Sequence, residues 1–176
     1  MKVSGWIMAV IGTISLVAVT IVSVIFWYGF ANNCKDYLKL AGDAPTIEKA
    51  DEFLGMAVSY IEKKQLTNGN SAYIFTTPTN DLKIWYGQVR GAKDTAESII
   101  KRATQNPASV SQLERDNALM KIREVVLDNS QSGTSVTTPA SITWFPYQWV
   151  MVIWWWITIL IAVAGWFLIF ATSDFW

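Results

Sequence analysis

The chain has 176 residues with 14 basic and 14 acidic side chains, no histidine, and one cysteine, Cys34. This composition removes His- or Cys-built zinc sites, haem held by histidine, Ser–His and Cys–His nucleophiles, and any intramolecular disulfide. The zero net charge recurs within the central segment. It argues against nucleic acid, whose phosphates call for a basic surface, and against strong attraction to anionic lipid, which needs clustered Lys and Arg.

The first element follows a short tail, residues 1–5. Residues 6–28, Trp6 to Tyr28, carry no charge and exceed the ~20 apolar residues that a helix needs to cross a hydrocarbon core about 30 Å thick. The run also exceeds the ~7–15-residue core of a cleavable signal peptide, so it reads as a retained signal anchor. Gly5, Ala9 and Gly12 put small residues on its first half, while Phe26, Trp27, Tyr28 and Phe30 crowd the second. Cys34 falls just outside the span. It reads as a quiet thiol, with an intermolecular disulfide between two hairpins as the alternative in an oxidising compartment.

Residues 29–128 follow as one extramembrane domain. The first helix is expected to continue over Cys34 to Leu40 and stop near Gly42. Asp43-Ala44-Pro45-Thr46 then carries capping residues and a first-turn proline. Ile47, Ala50, Leu54, Ala57 and Ile61 recur every three or four residues, predicting a helix over 46–64. Asn68-Gly69-Asn70 reads as a turn, and Ser71 to Thr77 as a β-prone extended segment. Leu82, Trp85, Val89, Ala92, Ala96, Ile99 and Ala103 keep strict coiled-coil spacing and predict a helix over 79–105. A last helix near Ser109 to Asp128 shows a broader apolar sector of Leu113, Leu119, Met120, Ile122, Val126 and Leu127. Residues 129–144, rich in Ser and Thr, read as a flexible linker.

Residues 145–172 form the second uncharged span, with Pro146 at its start and residues 173–176 as a tail. In an antiparallel hairpin, Ala162, Ala164 and Gly165 match Gly5, Ala9 and Gly12 in depth, so the two helices can approach closely there. Trp149, Trp154, Trp155 and Trp156 exceed an ordinary interface belt. Successive residues point about 100° apart on a helix, so Trp154 to Trp156 cannot all face the first span.

These elements predict an all-α membrane protein: two transmembrane helices forming a hairpin, flanking an extramembrane antiparallel helical bundle of three to four helices. Lys35 and Lys39 against Lys2 barely bias the orientation, and long inserts translocate largely regardless of charge. Both termini are assigned to the cytoplasm and the central domain to the outside of a bacterial-type inner or plasma membrane.

Candidate sites are few. Glu48, Asp51, Glu52 and Glu62 alternate with Lys49, Lys63 and Lys64, which reads as a solvated helix face rather than a metal or acid–base pair. Trp85 lies on the coiled-coil seam, and Tyr86 beside it joins Tyr73, Ile74 and Phe75 as candidate lining of an apolar groove. No charge lies in either span, so nothing points to an ion pathway. No catalytic, cofactor or metal residue is expected. The functional expectation is a non-enzymatic structural or accessory subunit. Its partners would be membrane lipid and either its own copies or a larger membrane complex, met through Trp27, Trp149, Trp154, Trp155 and Trp156. The alternative is a sensor, because two spans around an external helical bundle make a layout similar to the input half of bacterial chemoreceptors. That resemblance implies ligand binding outside and signalling through a partner.

Overall fold

Capping chemistry sets the helix starts. Thr46 Oγ1 accepts from Lys49 N at 3.3 Å, and Asp81 Oδ1 accepts from Lys83 N at 2.8 Å and Ile84 N at 3.2 Å. Ser111 Oγ accepts from Glu114 N at 3.1 Å. Each occupies a backbone donor that the first turn of a helix would otherwise leave unsatisfied. The computed structural model describes residues 2–73, 75–130 and 133–173. Its helices are α1 (Lys2–Phe30), α2 (Asp36–Gly42), α3 (Ile47–Lys63), α4 (Leu82–Gln105), α5 (Gln112–Val126) and α6 (Gln148–Ser173). The chain divides into two units, Met1–Tyr28 with Pro146–Trp176, and Gly29–Phe145.

In the unit Gly29–Phe145, α3 packs against α2 and α4, and α5 packs against the same two. One core results, with Leu38, Leu54, Ile61, Leu82, Val89 and Ile122 fully or nearly fully buried. Glu62, near the end of α3, meets Tyr86 and Arg90 early in α4, whereas Asp51, near its start, meets Lys93 further on. The two helices therefore run antiparallel. All five positions of the α3 stripe are buried, as are the first six of the seven on α4.

A π-helical turn, Ala31–Lys35, joins α1 to α2. It inserts more residues per turn than an α-helix. Phe30, Cys34 and Leu38, four apart each time, are thereby all buried. On α5 the buried stripe is Ala118, Ile122 and Val126. Leu113 and Met120, expected in an apolar sector, are instead 69% and 61% exposed.

The expected flexible linker is also structured. Strand β1 (Leu127–Ser130) pairs antiparallel with β2 (Gly133–Val136), placing Leu127 opposite Val136. Both of these apolar residues are buried, and so is Ile142. They pin a polar-looking stretch to the core at three points. In the loop before α4, the β-prone segment forms no strand among the described residues. Ser71 N donates to Asn80 O at 3.0 Å and Leu82 N to Gly69 O at 2.9 Å, and a single bridge joins Asn70 to Asp81. Ile74 lies outside the described residues.

In the other unit, α1 and α6 are apolar around their whole circumference, and both are long and apolar enough to cross a bilayer. α6 begins at Gln148. Phe145, expected to open the second span, instead packs its ring on the Gly69 turn. Gly69 has φ +107°, and a β-carbon there would lie 2.8 Å from Phe145 Cζ, so both backbone and neighbour require glycine.

Candidate interaction surfaces

The α1–α6 seam is built from absent side chains. A β-carbon on Gly12 would lie 2.6 Å from Ala162 N, one on Gly5 would lie 3.2 Å from Leu168 Cβ, and one on Gly165 would overlap the backbone of Ala9. Gly5, Ala9, Gly12, Ala162 and Gly165 thus share one line of contact, where backbones approach closely because nothing intervenes. Further along, Trp154 Nε1 donates to Ser15 Oγ at 3.1 Å and Trp155 Nε1 to Ser23 Oγ at 3.4 Å. Thr158, buried beside them, donates to Trp155 O at 2.9 Å.

Two of the three consecutive tryptophans therefore reach inward to α1. The third, Trp156, is 63% exposed, and Trp149, two turns before it, is 50% exposed. Ile153, Leu160, Val163 and Phe167 continue that outward line. Trp27 is exposed on α1. The outward face of α1 carries Val3, Ile7, Val10, Ile14, Val17, Ile21 and Val24, every one exposed and every one β-branched. Sequence reading passed over this line because a helix that is apolar all round has no contrast. Branching gives no signal either, since Ile11, Thr13, Val19 and Val22 lie off this line and Val19 is buried.

The aromatics of the helical domain separate. Trp85 is buried, and its Nε1 donates to Thr137 O at 2.9 Å, tying the segment after β2 to α4. Tyr86 Oη donates to Glu62 Oε1 at 2.6 Å, which raises the phenol's pKa. Tyr73 instead meets Trp144 edge-on, with ring centroids 6.2 Å apart, and Phe75 stands 79% exposed. Among the described residues, these contacts do not join Tyr73, Phe75 and Tyr86 into the expected groove, because Tyr86 takes a carboxylate partner and Tyr73 an aromatic one. Trp85 is buried, as its place on the coiled-coil seam predicts.

No family model, curated protein or solved structure matches this chain.

Charged side chains in the helical domain mainly join helices. Arg90 Nη1 lies 3.2 Å from Glu62 and Arg115 Nη1 2.9 Å from Glu48, while Arg102 pairs with Glu114. The backbone donors at the start of α3 hold the Glu48 carboxyl below its ordinary range, and Arg115 adds to the effect. Burial pushes the Asp51 carboxyl up against the pull of Lys93, 3.8 Å away. Glu48, Asp51 and Glu62 thus link α3 to α4 and α5, while Glu52 pairs with Lys49 on α3 itself. Among the described residues, no cluster of three metal-ligating side chains occurs. Cys34 is fully buried, and burial pushes its thiol up to about 12. A protonated sulfur enclosed in the core is not placed to bridge two hairpins, which sets that alternative aside. Two hollows of about 390 and 350 Å³ lie along the α4–α5 seam and share Thr95 and Lys121. Gly87 and Gly91 leave the second one open, since a β-carbon on either would meet nothing within 4 Å.

Proposed function

We propose that this protein is a non-enzymatic membrane subunit. Its two apolar helices cross the bilayer as a hairpin, and its antiparallel four-helix bundle lies on the extracytoplasmic side. The hairpin assembles laterally with further copies or with a larger membrane complex. Only 17% and 11% of the apolar windows of these helices are buried within the chain, whereas a soluble protein would bury most of such surface.

The observation that carries the assembly reading is the division of labour on the helices. The small residues are consumed by the internal α1–α6 seam. The outward faces keep stiff β-branched side chains on α1 and large rings, Trp149 and Trp156, on α6. Membrane helices associate through packing rather than exclusion of water, and stiff or large side chains lose little freedom when they pack. Replacing Trp149 and Trp156 together with Leu keeps the span apolar and removes two outward rings. The double variant should insert normally and run as a smaller species than the wild type on native gels in mild detergent. An unchanged size would reduce these tryptophans to lipid anchors and remove the reading's main support.

The α4–α5 hollows favour a second reading, an external ligand-binding bundle that signals through a partner. Protection of α4 and α5 from hydrogen exchange by a bound compound would support it.

A further inference from the structure

We propose that the loop from Gln65 to Asn80 seats in the lipid headgroup region, with Phe75 as its wedge, docking the helical domain onto the bilayer. The proposal rests on the membrane reading above and adds a surface to it. Residues 65–80 include no charged side chain. Among the loop's described residues, the large projecting group is Phe75, 79% exposed, whereas Tyr73 and Trp144 partner each other.

Ring contacts tie this loop to residues that adjoin the spans in the sequence. Phe145 packs on Gly69, and Trp144 meets the ring of Tyr73 at 6.2 Å. The next residue, Pro146, begins the approach to α6. Trp144 is four residues before Gln148, where α6 begins, a stretch of chain that spans at most about 14 Å. Phe75 is two residues from Tyr73. A second tether comes from the first span: Phe30, two residues past Tyr28, meets Tyr60 near the end of α3 with ring centroids 6.3 Å apart. The loop begins just after α3, so both tethers join it to residues that adjoin a span in the sequence.

The chemistry at this end suits lipid headgroups. Tyr73 and Trp144 are amphipathic rings of the kind that gather at that depth. Lys63, Lys64 and Lys83 flank the loop, are exposed, and form no ion pair among the described residues. The acidic neighbours are engaged: Glu62 holds Arg90 and Tyr86, and Asp81 caps α4. What remains free is an apolar ring on a loop with cations at both of its ends, complementary to a layer of phosphates over hydrocarbon.

The test uses the full chain in phosphatidylcholine nanodiscs with a nitroxide label introduced by Thr76→Cys, an exposed position that leaves the Phe75 ring in place. Buried Cys34 stays unlabelled, which the unsubstituted chain verifies. Ala108→Cys, on the exposed turn between α4 and α5, gives the aqueous reference, and Ile157→Cys, exposed on α6, the lipid reference. The ratio of oxygen to nickel-chelate collisions at position 76 should be several-fold above that at 108 and below that at 157. A ratio equal to that at 108, with 157 lipid-like, overturns the docking loop and leaves the membrane reading standing. Low collision with both reagents at 76 overturns it in favour of a covering protein. A water-like signal at 157 overturns the membrane reading itself, and the loop proposal with it.

Discussion

Ala96 has no exposed surface and lies in the core from the middle of α4. An aspartate there would bury a carboxylate with no partner, so Ala96→Asp should destabilise the full chain by roughly 3 kcal/mol or more in a urea titration in mild detergent. A change near zero would mean that this face of α4 is open. Cys34 makes a different demand, because its thiol is held neutral by burial. A thiol whose folded pKa is raised keeps its proton more tightly when folded. Its contribution is therefore complete below the ordinary value of 9.0 and is lost as pH climbs towards about 12. The stability advantage of the wild type over Cys34→Ala should shrink above pH 9.0, and a constant difference would show that the sulfur is accessible. Both residues mark what sequence could and could not disclose. Ala96 was legible because it falls on a repeating stripe. The burial of Cys34 was not, because a lone cysteine beside a span carries no periodicity of its own.

At the scale of elements, α3 and α4 were readable for the same reason as Ala96. Their apolar positions repeat every three or four residues between recognisable caps. The hairpin of β1 and β2 was not, since Asp128, Asn129 and Ser130 are poor strand formers and the buried anchors Leu127 and Val136 stand nine residues apart. The π-helical turn was equally hidden, because Phe30, Cys34 and Leu38 at spacings of four look like ordinary helix. The α1–α6 seam tests element packing directly. Gly5→Cys with Leu168→Cys places two β-carbons about as close as a disulfide requires. Mild oxidation should link them within one chain, seen as a shift on non-reducing gels after cleavage in the intervening domain. Adding Gly12→Ile, whose side chain would strike the backbone of Ala162, should abolish the link by forcing the helices apart. Crosslinking that survives Gly12→Ile would refute close packing at this seam.

At the scale of the whole molecule, balanced charge leaves orientation to the length of the central domain rather than to flanking lysines. A domain of this size translocates on its own terms, and residues 2–5 offer only Lys2 as a retained charge. If the helical domain faces outward, Ala108→Cys and Met120→Cys, both exposed, should react with a membrane-impermeant maleimide in intact cells. Buried Cys34 supplies the internal blank, because the unsubstituted chain should stay unlabelled before and after lysis. Labelling of both sites only after lysis would place the domain in the cytoplasm. The docking of Phe75 would then concern the inner leaflet, where anionic lipid is concentrated and Lys63, Lys64 and Lys83 would bind it more strongly. Salt distinguishes the two cases. Screening falls on exposed charges within about a Debye length, so a loop held by its ring alone should keep its depth in high salt, while one held by its lysines should rise out of the bilayer.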